Sequence, residues 1–133
     1  MQRFLTDGRA DPTADYNYTI KMSSKYGLAD IVQLLLADGR ADPTAGNNSA
    51  LRWSSANGHA DVVQLLLADG RVDPTAANNH AITASSANGH TDVVKLLLAN
   101  GRVDPTVGHG YCLFWSSFNG HTDVAKLLRA DGR

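Results

Sequence analysis

The chain has 133 residues, 43% of them hydrophobic and 19% charged, enough apolar material for one packed domain. Twelve basic against thirteen acidic side chains leave a net charge of −1, which argues against nucleic acid and anionic membrane as partners, because both demand a basic excess. Cys112 is the only cysteine, so no internal disulfide forms, and there is neither an apolar leader run nor a stretch long enough to span a bilayer. These features point to an intracellular protein, cytoplasmic or nuclear.

Self-similarity organises the rest. Gly27, Gly58, Gly89 and Gly120 recur every 31 residues, as do Pro12, Pro43, Pro74 and Pro105. The sequence therefore reads as a single repeat domain over 1–133, with residues 1–11 a partial unit and complete units at 12–42, 43–73, 74–104 and 105–133. The partial unit predicts a half-helix over residues 1–7.

Each unit predicts two short helices. In the second unit Asn48 sits where an N-cap would serve the first helix, with Asn17 and Asn79 equivalent. Leu51, Ser54 and Ser55 share one face of that helix, the serine hydroxyls bonded back to the preceding turn, and Gly58 ends it. Asp61 falls in the first turn of the second helix, where a negative charge suits the helix dipole. Val62, Val63, Leu65, Leu66 and Leu67 are too many apolar residues for a one-sided helix, so this helix packs on more than one side. Gly70 closes it, and Asp73 before Pro74 predicts an Asx-turn onto the Thr75 amide. Recurring Arg40, Arg71 and Arg102 beside Asp42, Asp73 and Asp104 predict Arg–Asp contacts along or between these loops. Helix pairs this short cannot bury their own apolar faces, whereas stacked pairs can.

The run Gly89-His90-Thr91-Asp92-Val93-Val94-Lys95-Leu96-Leu97-Leu98-Ala99-Asn100-Gly101 and its copies resemble the ankyrin repeat family, through a glycine-histidine turn, an acidic helix start and a triple-leucine helix ending in glycine. The resemblance implies an all-α solenoid of stacked antiparallel helix pairs. The unit is 31 residues against the family's 33, and His80-Ala81-Ile82-Thr83 stands where the family has threonine-proline-leucine-histidine. The shortening falls between repeats and predicts a tighter loop in place of a projecting hairpin.

No residue set argues for catalysis, a cofactor or a metal. His59, His90 and His121 recur with Asp61, Asp92 and Asp123, but stacked equivalents lie about 8–10 Å apart, too far to share one ion. They read as turn histidines bonding local backbone. Cys112 and His109 lack an orienting third group, and Cys112 occupies a small-residue position shared by Thr19, Ala50 and Ala81. Gly108-His109-Gly110 lacks the third glycine of a dinucleotide loop.

Positions identical in every unit are scaffold, and those that vary are free of its demands. On the first helices the varying quartets are Lys21, Met22, Lys25, Tyr26; Arg52, Trp53, Ala56, Asn57; Thr83, Ala84, Ala87, Asn88; and Phe114, Trp115, Phe118, Asn119. The resemblance places this side on a concave surface where the family, together with its loops, holds protein partners. Partner contacts are therefore expected from Lys25, Tyr26, Arg52, Trp53, Asn57, Asn88, Tyr111, Phe114, Trp115, Phe118 and Asn119. The expected function is a monomeric protein-interaction module or scaffold. The alternatives are an inhibitor or effector that blocks an enzyme by covering its surface, and a near-consensus stack without a natural partner. Arg129, where earlier units carry leucine, is expected to be an exposed polar cap.

Overall fold

The computed structural model describes residues 12–104 and 107–131, and the side chains of 15–104 and 110–131. The half-helix expected over 1–7 lies outside the described residues. The described residues form eight helices in four pairs: α1 Pro12–Lys25 with α2 Ala29–Asp38, α3 Ala45–Ala56 with α4 Ala60–Asp69, α5 Ala76–Ala87 with α6 Thr91–Asn100, and α7 Val107–Phe118 with α8 Thr122–Asp131. Among the described residues there is no strand, and the segments 39–44 and 70–75 between pairs are compact loops with no hairpin finger.

Each pair closes through a glycine. Gly58 takes φ +78° while the His59 amide donates to Ser54 O at 2.9 Å, so the last carbonyls of α3 are satisfied as the chain reverses. Asp61 opens α4 as expected and accepts the Val62 amide. Gly70, at φ +86°, ends α4.

The second helices bury more than one side. Val62, Val63 and Leu66 are fully buried, as are Val93, Val94 and Leu97 one unit on, and each such side chain contributes about 1.5–3 kcal/mol. Leu51 and Ile82 from the first helices meet them in one continuous core, to which the loop residues Val72 and Val103 also belong. First helices stack on first helices and second on second, with the closer packing in the first-helix row. Arg129 is exposed, whereas its equivalents Leu36, Leu67 and Leu98 pack against the core, and Ala125 is buried.

The inter-repeat loops are built as Asx-turns. Asp73 Oδ1 accepts both the Thr75 amide, at 2.9 Å, and the Thr75 hydroxyl, and Asp42 does the same for Thr44. These bonds hold both carboxyls below the usual aspartate range. Arg102 reaches Asp73 across adjacent loops at 3.6 Å, the contact expected from the spacing. Arg71 and Arg40 instead turn back to Asp69 and Asp38 at the ends of their preceding helices.

The asparagines depart from expectation. Asn48 does not cap α3: its side-chain oxygen accepts the Asp73 amide at 2.8 Å, 25 residues on, and Asn17 and Asn79 do the same for Asp42 and Asp104. In α3 the residues Gly46, Asn47 and Asn48 all have positive φ, and in α5 so do Ala77, Asn78 and Asn79. This left-handed turn precedes the right-handed helix and leaves the asparagine carboxamide bonded to the following loop. Glycine and asparagine are the residues that tolerate the conformation, whereas α1, with Asp15, Tyr16 and Asn17 at these places, has no positive-φ residue.

Candidate protein-binding surface

The first helices carry two kinds of residue. Ser23, Ser54, Ser85 and Ser116 are buried and bond back to the preceding turn through Thr19 O, Leu51 O, Ala81 O and Leu113 O. The second serine of the first three pairs departs from the expected pattern. The Ser24, Ser55 and Ser86 hydroxyls are buried without a hydrogen-bond partner. Ser86 neighbours Cys112 of the next first helix, whose buried thiol is pushed up from its ordinary pKa chiefly by desolvation, keeping it a packing residue.

A ladder of polar bonds ties one first helix to the next. His59 Nε2 meets Lys25 O at 3.0 Å and His90 Nε2 meets Ala56 O at 2.9 Å. The Asn57, Asn88 and Asn119 side-chain amides donate to Lys25 O, Ala56 O and Ala87 O at 2.9–3.0 Å. The His59 and His90 rings therefore bond the backbone of the preceding unit, 34 residues away, and not their own turn. The three asparagines, expected among the partner contacts, are exposed but commit their amide donors to the stack. Among the described residues no group of three or more His, Cys, Asp and Glu could hold a metal ion.

What remains on this side falls into two patches. In the first, the Lys25 ammonium lies 5.5 Å from the ring centres of both Tyr26 and Trp53, and Tyr26 is 61% exposed. Arg52 borders it, half-buried, donating to Asn47 O and Gly46 O of the left-handed turn. In the second, Tyr111, Phe114, Trp115 and Phe118 form one ring cluster. Phe114 and Phe118 stack at 5.9 Å, and Trp115 meets both in T-shaped contacts at 5.1 and 5.4 Å between ring centres. Tyr111, at 5.9 Å from Trp115, completes it. Phe118 is 70% and Phe114 57% exposed, so the cluster is open to solvent while its own ring contacts hold its shape. Gly110, Leu113, Phe114, Ser117 and Phe118 line an open depression of about 510 Å³ at this end. Between the patches lie the small, half-buried Ala56, Ala84 and Ala87.

Two further residues share this side and were not expected there. Tyr18, 63% exposed, and His80 occupy the position of Tyr111 one helical turn before the quartets. The signal was present, since Tyr18, Ser49, His80 and Tyr111 make this a varying position as well.

The ankyrin repeat family model matches residues 46–79 and 80–109. Comparison with curated proteins gives no match. The described structure carries the same helix pair on both sides of the matched residues, from Pro12 to Asp131, and with a glycine turn and a buried second helix in unit after unit, residues 46–109 belong to the ankyrin repeat family.

Proposed function

We propose that this chain holds a partner protein on its first-helix surface. Ankyrin repeats are in general protein–protein interaction modules, and no described helix is long and apolar enough to cross a membrane. The observation that carries the proposal is the ring cluster at Tyr111, Phe114, Trp115 and Phe118. A folded domain seldom leaves so many large apolar rings together in water, and such rings anchor interfaces when covered. Lys25, Tyr26, Arg52 and Trp53 extend the contact surface, while Asn57, Asn88 and Asn119 serve chiefly to keep the helices in register.

The test compares pull-downs by the intact chain with those by a Phe114→Ala/Phe118→Ala variant and by a Lys95→Ala/Lys126→Ala control on the second helices. A partner retained by the control and lost by the aromatic variant supports the reading. A partner retained equally by all three refutes it.

A further inference from the structure

The thirteen acidic residues, all aspartates, are not spread evenly over the fold. Those in the described residues sit in the inter-repeat loops or at helix ends, as with Asp42, Asp73 and Asp104, or in the first turns of second helices, as with Asp30, Asp61, Asp92 and Asp123. None occupies a varying quartet of the first helices. Those quartets hold Lys21, Lys25 and Arg52 in the first two units, only Thr83, Ala84, Ala87 and Asn88 in the third, and the aromatic cluster in the fourth. A chain of net charge −1 thus presents a first-helix side that is cationic at one end, small and neutral in the middle, and aromatic at the other.

The cationic end is more than a solvated charge run. Lys25 is half-buried, its ammonium 5.5 Å from the rings of both Tyr26 and Trp53. An anion arriving there meets a cation already held by two rings and partly stripped of water, where a charge pair is worth more than on an open surface. Arg52 is fixed by its bonds to Gly46 O and Asn47 O, so its ordering cost is met before any partner arrives.

Resting on the interaction reading above, we propose that the occupant is a polar-ended peptide segment of the partner. Its acidic residues lie over Lys21, Lys25 and Arg52, and its leucine or aromatic residues lie over Phe114 and Phe118. The order is fixed, because reversal would place carboxylates on a ring cluster and apolar side chains on three cations. From the first unit to the fourth is three repeat steps of about 8–10 Å, roughly 24–30 Å in all. An extended segment of about eight or nine residues covers that distance at ~3.3 Å per residue.

A random peptide library displayed on phage, selected against the intact chain, tests this. Recovered peptides are expected to carry Asp or Glu towards one end and Leu, Phe or Trp towards the other. Synthetic copies, followed by tryptophan fluorescence of Trp53 and Trp115, should bind about tenfold more weakly to Lys21→Gln/Lys25→Gln, with a flatter salt dependence. Phe114→Ala/Phe118→Ala should weaken them by a similar factor and leave the salt dependence intact. Peptides lacking the acidic end but lost by the aromatic variant would overturn the charge assignment and leave the interaction surface standing. Peptides indifferent to both variants would overturn the surface as well. A library yielding no binder would overturn the peptide occupant, and the pull-down would still judge the surface.

Discussion

The imidazole of His90 fills the space that a β-carbon on Gly58 would need. A Cβ built there falls 2.5 Å from His90 Nδ1, and one at Gly27 falls 2.6 Å from the equivalent atom of His59. The turn glycine of one unit and the turn histidine of the next are thus one device. The glycine supplies both the left-handed backbone and the gap, and the ring crosses the gap to bond Ala56 O. Gly70 has nearly the same φ, but a β-carbon there would meet nothing within 4 Å.

That contrast separates backbone strain from crowding. Gly70→Ala is expected to cost about 1 kcal/mol from its left-handed backbone, and Gly58→Ala roughly 3 kcal/mol once displacement of the ring is added. Urea denaturation measures both, and His90→Ala should recover part of the Gly58→Ala loss. Equal costs at Gly58 and Gly70 would mean the histidine is irrelevant to the turn.

Ser55 gives a prediction of opposite sign. Its hydroxyl is fully buried in α3 without a bond, while its neighbour Ser54 bonds Leu51 O. Ser55→Ala removes an unpaired polar group from the core and improves helix propensity, so a gain of about 1 kcal/mol is expected. Ser54→Ala, which deletes a made bond, should gain less. A loss of stability on Ser55→Ala would show that the hydroxyl has a partner in solution.

The left-handed turns supply the third test. Ala77 holds φ +55°, where its equivalent in the preceding unit is Gly46. Removing the Cβ relieves strain of about 1–2 kcal/mol and adds back some unfolded-state entropy, leaving Ala77→Gly more stable by about 0.5–1 kcal/mol. Gly46→Ala should lose stability, since its Cβ would press on the Ser49 hydroxyl. The thermal midpoints of the two variants should therefore move in opposite directions.

Much of this was legible in the sequence because repetition makes local signals add. Glycine at fixed intervals, Asp-Pro loops and leucine triplets each name an element end or a buried face, and the structure places Gly58, Gly70, Asp73 and Leu66 where those signals put them. What the sequence could not supply was which unit a side chain would bond to. Asn48 looks like an N-cap and His59 like a local turn residue, since spacing along one chain favours local partners. Stacking brings atoms 25 and 34 residues away nearer than local ones, and both side chains bond there. On the proposed surface the aromatic cluster stands out through its contrast with other units. The column of Tyr18 and His80 begins a turn earlier than the quartets, and so falls outside a comparison confined to them.

His80 carries the pH prediction. Burial is the first cause that lowers its pKa below 6.5, and the nearby Arg52 guanidinium adds to it. Its Nδ1 is buried without a partner, so no acceptor stands ready to hold a second proton. The sign follows from linkage: between the folded and unfolded pKa values the unfolded chain binds the proton and the folded chain does not, so stability rises with pH across that window. The contribution is complete above the unfolded value, 6.5, and is lost as pH falls from there towards the lower folded value. Asp42 and Asp73 act in a separate and lower window, their stabilising bonds to Thr44 and Thr75 fully effective above the ordinary aspartate value, 3.8, and lost as pH falls below it. The urea midpoint should therefore begin to drop just below neutrality, well before the aspartates titrate. His80→Ser, which places the residue of the preceding unit at this position, should flatten the decline between neutrality and the aspartate window while leaving the steeper acid loss in place. An unchanged pH profile in that variant would remove His80 as its cause.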